Sequence, residues 1–380
     1  MSFRISKPKQ FVSLSFASTS KVWETIANSL NGVINAVIVD NSNNVYVGGN
    51  FTQINGVAAN YIAKWDGANW SSLGTGLNAM CFALVVDSNN NLYAGGFFGE
   101  AGLTTAIAVA RWNGTSWSAL AGGVPGPVFS LAIDASNNIY AGGQSIHRWN
   151  GTNWTNLAPG GIIGTIYTIY KDPSASGTMF VGGIFSNING VPMQNLARYN
   201  FLTSTWTRMG GASGGTSGGP FVFVDGIVLS MSNTTLNILS IGGFFTSVTD
   251  TFGTKTANYI CQYDMTLDSL NPIIKNSFNG TNYGVFSITQ DLSKSYFVVG
   301  GSFTQFCDVS ALSISQISNT PPFAINNLNF TGPDIDTNGL SIDNNNDIIY
   351  RGGNSTVSRY INRSRFSTIF LPLVSKFRKI

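Results

Sequence analysis

The chain has 380 residues, of which 10% are charged and 12% aromatic, and it holds 43 glycines. Those values exclude a disordered polymer and a helical bundle; Val, Ile, Thr, Phe and Tyr alternate with Asn, Asp, Gly and Ser as in an all-β chain. The net charge of +3 conceals a division: residues 1–21 and 351–380 hold 11 of the 20 basic residues and none of the 17 acids.

Residues 1–10, MSFRISKPKQ, carry Arg4, Lys7 and Lys9 but no apolar stretch of a secretory leader, so synthesis inside the cell is expected. Residues 11–27 (FVSLSFASTSKVWETIA) read as two strands, with Phe16 and Trp23 seven apart. From residue 33 onward a unit begins that recurs to the end of the chain. An apolar strand runs into Asp and then Asn-rich residues: AVIVDNSNN at Asp40, ALVVDSNNN at Asp87, LAIDASNN at Asp134 and LSIDNNND at Asp343. Asp and Asn bond nearby backbone groups and tolerate left-handed conformations, so each is a predicted hairpin turn.

The next strand holds two adjacent glycines. They are Gly48 and Gly49, Gly95 and Gly96, Gly142 and Gly143, and then the pairs at 182/183, 242/243, 300/301 and 352/353. Spacings of 40 to 60 residues suit one four-stranded unit each, so seven pairs predict seven units. Each pair either lets backbones pass where a side chain would clash or supplies positive φ. A third strand then ends in an aromatic, and a short turn leads to a fourth with another: Trp65 and Trp70, Trp112 and Trp117, Trp149 and Trp154, Tyr199 and Trp206. All eight tryptophans fall at these two positions. They are expected to pack between units, leaving none for a ligand platform.

A diglycine strand, an aromatic with Asp or Asn, then Trp with Leu resembles the kelch repeat and related Gly-Gly-x-Phe propeller repeats, over residues 11–370. The resemblance implies an all-β, single seven-bladed β-propeller of four-stranded antiparallel blades, its ring closed by terminal strands. A basic segment (1–10) and a basic tail (371–380) would flank it. Kelch propellers mostly bind other proteins, and a few carry a copper site. The Asn and Ile usage also resembles that of propellers encoded by large DNA viruses of amoebae, which would make the chain a virion component.

Closure is ambiguous in sequence. Phe16 with Trp23 fits a third-and-outer strand pair, and so does Tyr360 with Phe366, giving one outer pair too many. Either the N-terminal pair completes the last blade and the C-terminal one is surplus, or the reverse. In both cases the basic ends meet at one blade. Arg4, Lys7, Lys9, Arg359, Arg363, Arg365, Lys376, Arg378 and Lys379 are therefore a candidate anchor for an anionic partner, such as nucleic acid or an acidic protein surface. The tail FLPLVSKFRKI adds apolar residues suited to a groove or a membrane surface, and self-association through the surplus pair is a further use.

Chemistry is sparse. His147 is the sole histidine, and Glu24 and Glu100 are the only glutamates. Asp225, Asp250, Asp308, Asp334 and Asp336 lie outside the turn positions and show no partner by spacing. The Asn-rich turns lack the glycine and distal glutamate of a calcium loop. The run GGASGGTSGG at 210–219 reads as a loop, since no lysine or helix start follows it. Cys81 and Cys261 fall in strands and Cys307 in a loop, where exposure is expected. No catalytic residue, metal or cofactor is expected. The leading reading is a non-catalytic interaction or structural scaffold; the alternative is a carbohydrate-binding or carbohydrate-acting propeller with its site at the central channel.

Overall fold

The computed structural model describes residues 11–372 except 20–21, 172–176, 210–222, 236–237, 251, 268, 276–277, 291–295, 319–323, 329, 331–335, 344–347 and 362–363. The inner strands of seven blades are Val33–Val39, Cys81–Val86, Val128–Ile133, Ile162–Lys171, Phe223–Thr235, Val285–Gln290 and Gly339–Ile342. Each packs against the next and the seventh against the first, so the sheets close into a ring around a central aperture. Within blades 1 to 6, inner, second, third and outer strands follow one another in chain order. The protein is a seven-bladed β-propeller of four-stranded antiparallel sheets.

The predicted turns are tied by their own side chains. In blade 1 the Asp40 carboxylate accepts the Ser42 and Asn44 amides (both 2.8 Å) and the Asn44 side chain (2.7 Å). Asp87 and Asp134 repeat the arrangement and also take the Tyr93 and Tyr140 hydroxyls at 3.2 and 2.9 Å. Asn43, Asn90 and Asn137 adopt φ near +60°, which Asn tolerates best among residues with a side chain. Adjacent turns join blade to blade: Asn90 donates to Ser42 and Asn137 to Ser88, at 3.0 and 2.9 Å. Burial, with Asp87 alongside, pushes the Tyr93 hydroxyl up to about 12. These carboxylates are occupied by the fold.

The glycine pairs divide their work, and of the two roles posed by the sequence only close approach holds. Gly48, Gly49, Gly95, Gly96, Gly142 and Gly143 are all buried, and none of them has a positive φ. A Cβ on the first glycine would strike the next blade: 2.5 Å from Cys81 Sγ at Gly48, 2.7 Å from Val128 Cγ1 at Gly95, 2.7 Å from Ile169 Cδ1 at Gly142. A Cβ on the second would strike backbone where its own inner strand begins: 2.0 Å from the Val33 oxygen at Gly49, 2.1 Å from the Met80 oxygen at Gly96, 2.1 Å from the Pro127 oxygen at Gly143. The inner strand bulges at that point. In blade 1 the bulge falls between Ile34 and Ala36, which face Gly49 and Gly48; in blade 3 it falls between Val128 and Ser130, which face Gly143 and Gly142.

The tryptophans sit at the joints between blades. Trp65 lies opposite Trp70, Trp112 opposite Trp117 and Trp149 opposite Trp154. Each outer-strand indole reaches back one blade: Trp117 Nε1 donates to the Leu73 carbonyl, Trp154 to Leu120 and Trp206 to Leu157, at 2.7–2.8 Å.

Closure differs from both alternatives posed by the sequence. The C-terminal Val357–Ile361 is the third strand of blade 7, and the N-terminal Val22–Ala27 is its outer strand. Trp23 therefore lies opposite Tyr360, donates Nε1 to Leu328 O of blade 6 (2.8 Å), and Trp70 of blade 1 donates to Ile26 O (2.8 Å). The splice obeys the same rule as every other joint. The two leftover strands, Phe11–Thr19 and Ser364–Pro372, pair with each other in a separate two-stranded ribbon. The surplus is thus shared between the ends.

Candidate functional site

Antiparallel strands put the Asp turns and the third-to-outer turns on one face of the ring, called here the turn face. The second-to-third loops and the links between blades lie on the other, the crossover face. The two differ in chemistry. Among the described residues the large hydrophobic side chains that stand exposed are concentrated on the crossover face: Phe97 (61% exposed), Leu103 and Ile107 in blade 2, Ile163 and Ile184 in blade 4, Phe252 and Ile274 in blade 5, and Tyr283 (52%) entering blade 6. Only Leu202 and Leu267 lie in turns of the opposite face.

The bulges line the aperture at this end. The residue that each inner strand inserts opposite its glycine pair is Asn35, Phe82, Phe129, Tyr167, Leu229 and Phe286 in blades 1 to 6. Phe82, Phe129 and Tyr167 touch in series across three blades, with ring centroids 5.1 Å apart at both steps. In blades 5 and 6, Phe244 contacts Phe286 at 5.5 Å and Tyr283 at 5.7 Å, and Tyr283 stacks on Tyr259 at 6.2 Å. Offset and edge contacts of this kind hold the rings in one arrangement. Beside Ile184 a cavity of about 540 Å³ is lined by Ile163, Phe185, Met193, Leu196 and Arg208, among others.

Blades 7 and 1 complete the circle with polar groups. The Asp336 carboxylate accepts Ser302 Oγ (2.5 Å) and Asn354 Nδ2 (2.8 Å), and Asn338 donates to Asn354 at 3.1 Å. Asn35 donates to the Cys81 carbonyl at 3.0 Å. Arg351, which sequence counts among the basic ends, is fully buried beneath this cluster. Its guanidinium lies 3.8 Å from the Phe330 ring centre, with Nε on Thr337 Oγ1 (2.8 Å) and Nη2 on the Asp336 carbonyl (2.5 Å). An aromatic arc thus faces an amide-and-carboxylate arc across one opening.

Of the candidate anchor residues, Arg4, Lys7, Lys9, Arg363, Lys376, Arg378 and Lys379 lie outside the described residues. Arg365 stands in the ribbon opposite Ser18. Arg359 is engaged within the propeller, with Nε and Nη2 both on Glu24 Oε2 (2.9 and 2.7 Å) and its guanidinium 5.1 Å from the Trp65 ring centre. His147 is buried edge-on to Trp154, and burial holds its pKa below the ordinary imidazole range. Asp250 is buried and pairs with Lys255 at 2.7 Å, while accepting the Leu270 and Phe252 amides. Asp308 sits at the tip between Gln305–Phe306 and Val309–Ser310. Asp225 belongs to the inner strand of blade 5, and Asp334 and residues 210–219 lie outside the described residues. Cys307 corrects an expectation: it is 3% exposed, because its loop folds under the crossover face and the thiol points at the Ile273 carbonyl.

The sequence matches the family model described as the Rax2 C-terminal beta propeller domain over residues 12–165, a stretch that takes in one ribbon strand, the closing strand and blades 1 to 3. No curated protein matches the chain. Among solved structures the chain is similar to the extracellular domain of BT4673 from B. thetaiotaomicron, with a TM-score of 0.59 and 15% identity over 90% of this chain. The chain spans 40% of that structure's length. It is similar also to the WD40 beta propeller domain of Doa1, with a TM-score of 0.57 and 12% identity over 91% of this chain and 97% of that one. At these identities the likeness is one of fold.

Proposed function

We propose that the chain is a non-catalytic interaction module that holds a partner protein on its crossover face, around the aperture. The segregation of exposed apolar side chains to that face carries the reading. A folded surface places large hydrophobics in water as a patch chiefly where a partner covers them. Rigid rings such as Phe97, directly after a strand, and Tyr283, two residues before one, lose little rotamer freedom on binding, which favours them as interface anchors. The partner surface that fits is apolar and weakly charged, with amide or hydroxyl groups to meet Asn338, Asn354 and Asp336.

The test compares Phe97→Ser/Ile184→Ser with Leu202→Ser/Leu267→Ser. Both pairs are exposed, so both variants keep the native unfolding midpoint. Proteins captured from the source cell by the wild-type chain are quantified against each variant. The reading requires at least a tenfold loss with the crossover-face pair and none with the turn-face pair. Equal capture by all three proteins refutes it. The aromatic arc opposite Asp336 also suits a sugar ring, so a glycan array is run alongside; a saccharide that competes with the captured protein would move the function to carbohydrate recognition at the same opening.

A further inference from the structure

Hydrogen bonds fix the size of each second-to-third connection. The amide of the second glycine bonds the Tyr61 carbonyl in blade 1, Ala108 in blade 2, Asn195 in blade 4 and Ser313 in blade 6, so the connections are residues 50–60, 97–107, 184–194 and 302–312. Each folds as a small hairpin. Each sends down a phenylalanine and, at the third residue after it, a second side chain: Phe51 and Ile54, Phe98 and Ala101, Phe185 and Ile188, Phe303 and Phe306, all buried. Each hairpin also rests on the link that enters its own blade. Asn55 donates to Ser29 O, Gly102 to Gly76 O, Asn189 to Gly161 O and Cys307 to Gly280 O, at 2.6–2.8 Å. In blade 3 the Gly143 amide bonds Ser145, so the connection is Gln144 alone. The hairpin is missing, and its seat stands open between the hairpins of blades 2 and 4.

The seat has changed with it. Gly76, Gly123 and Gly280 mark the same place in three links, since a Cβ on each would strike the carbonyl oxygen of Asn60, Ile107 or Asn258. Two residues later, Asn78 and Asn282 each accept a pair of hairpin amides, whereas the link into blade 3 has Pro125. Asn60 and Asn258 donate their side chains to the link, whereas Ile107 stands exposed. Phe244 of blade 5 lies over Gly284, where a Cβ would be 2.5 Å from its ring; Pro127 takes that place at blade 3, and Phe97 projects into water. Residues 121–127 and 144–145 carry no charge.

The floor has changed too. Ala63, Ala110 and Ala197 pack under the hairpins of blades 1, 2 and 4, with Ile54, Ala101 and Ile188 respectively. The same third-strand position in blade 3 is His147, opposite Ala141. Its Nδ1 is buried without a hydrogen-bond partner, and Trp154 beside it is half-buried where Trp70, Trp117 and Trp206 are buried. Blade 7 also turns tightly, between Gly353 and Thr356, but there Asn354 is tied to Asp336 and Asn338.

We propose that the open seat of blade 3 takes a hairpin of the partner protein, uncharged and carrying a phenylalanine with a second apolar side chain at the third residue after it. This rests on the crossover-face reading and names the partner element received there. The four filled seats are the template for the occupant. Pro125 has no amide to leave unbonded, and Ile107 and Phe97 add apolar area, so the occupant is held by burial more than by hydrogen bonds.

The probe is a cyclised peptide of residues 50–60 (NFTQINGVAAN), the uncharged hairpin of blade 1, with fluorescein on its linker. Anisotropy with the full chain should give a Kd below about 1 mM, and binding should move the imidazole proton resonances of His147, the sole histidine. The peptide with Phe51→Ser/Ile54→Ser should bind at least about tenfold more weakly, and so should the chain with Ile107→Asn. A chain in which residues 50–60 replace Gln144, together with His147→Ala, has its seat filled and should bind no peptide. Native tryptophan fluorescence confirms the ring in each variant, and Ile107→Asn carries the test if the filled chain does not fold. No binding at about 1 mM, equal binding of both peptides, or binding that leaves the His147 resonances unmoved overturns the proposal. Capture from the cell separates it from the broader reading. A seat-filled or Ile107→Asn chain that still captures the protein lost by Phe97→Ser/Ile184→Ser removes the seat and leaves the crossover face standing.

Discussion

The two glycines of a pair are adjacent and identical, yet their substitution by alanine has different consequences. At Gly95 the new Cβ meets Val128 Cγ1 at 2.7 Å and Leu131 Cγ at 3.0 Å, both side-chain atoms of the next blade. At Gly96 it meets the Met80 carbonyl oxygen at 2.1 Å, an atom fixed at the bulged inner strand of the same blade. Overpacking against movable side chains costs about 1–3 kcal/mol, offset by the roughly 0.5–1 kcal/mol that alanine gains over glycine in a strand. Gly95→Ala is therefore expected to destabilise by about 1–2 kcal/mol. Removing the obstructing methyl relieves it: in a double-mutant cycle, Gly95→Ala with Val128→Ala should show a favourable coupling of about 1 kcal/mol. Gly96→Ala has no such remedy, because the ladder must open, and a loss above about 3 kcal/mol is expected. Urea unfolding followed by tryptophan fluorescence reads the four variants against wild type, with unchanged m-values as the check on comparability. A Gly96→Ala cost no greater than that of Gly95→Ala, or zero coupling with Val128, would show that these glycines serve conformational freedom and not close approach.

Three further outcomes follow from the same geometry. Trp23→Phe keeps the aromatic contacts with Phe330 and Tyr360 but loses the bond to Leu328 O, costing about 1 kcal/mol, whereas Trp23→Ala costs about 3 kcal/mol. Glu24→Gln costs less than about 1 kcal/mol, since its pair with Arg359 is partly solvated; thermal unfolding of the three proteins ranks the closure contacts. Burial would raise the Asp134 carboxyl, but hydrogen bonds from Asn138, Tyr140 and Ser136 outweigh it and hold its pKa below the ordinary carboxylate value. Its contribution is then present above about pH 4 and lost as pH falls through the lower folded value, so the stability gap between wild type and Asp134→Leu should shrink in acid urea titrations. Burial pushes the Cys81 thiol up to about 12 and raises Cys261 as well, and Cys307 is covered. A thiol reagent at pH 8 should therefore find none of the three cysteines until the ring is unfolded.

What could be read from sequence was what repeats at fixed spacing. Gly48/Gly49 and Trp65/Trp70 recur with their neighbours, and a recurring local pattern needs no tertiary information. The closure was not legible because Phe16–Trp23 and Tyr360–Phe366 satisfy the same local rule. Only geometry decides that Trp23 pairs with Tyr360, by letting its indole reach Leu328 while Glu24 meets Arg359. Arg351 was hidden by counting charge along the chain, since it opens the acid-free stretch 351–380 while its neighbours in space are Phe330 and Thr337. The aromatic arc did leave a trace. Asn35, Phe82, Phe129, Tyr167 and Phe286 each stand five residues before an Asp in the sequence, at 40, 87, 134, 172 and 291. Inside an apolar strand such residues pass for core; the bulge, invisible to a period-two reading, turns them to the aperture.

A comparison within the chain separates what the architecture requires from what it leaves free. Seven blades impose nearly the same backbone seven times, so a position dictated by folding should carry the same residue each time. The glycine pairs do in all seven, and Asp recurs at the turns at 40, 87, 134 and 343. The residue directly after each pair does not: it is Asn50, Phe97, Gln144, Ile184, Phe244, Ser302 and Asn354. These seven places share a location at the crossover end of the second strand, next to the bulges, and the fold accepts either an amide or a phenyl ring there. Where packing is indifferent, a large apolar side chain held in water costs solubility without adding stability. Its presence at Phe97 and Ile184, with amides across the opening at Asn354 and Asn50, is not required by the ring and is what the proposed binding of a partner on this face would explain.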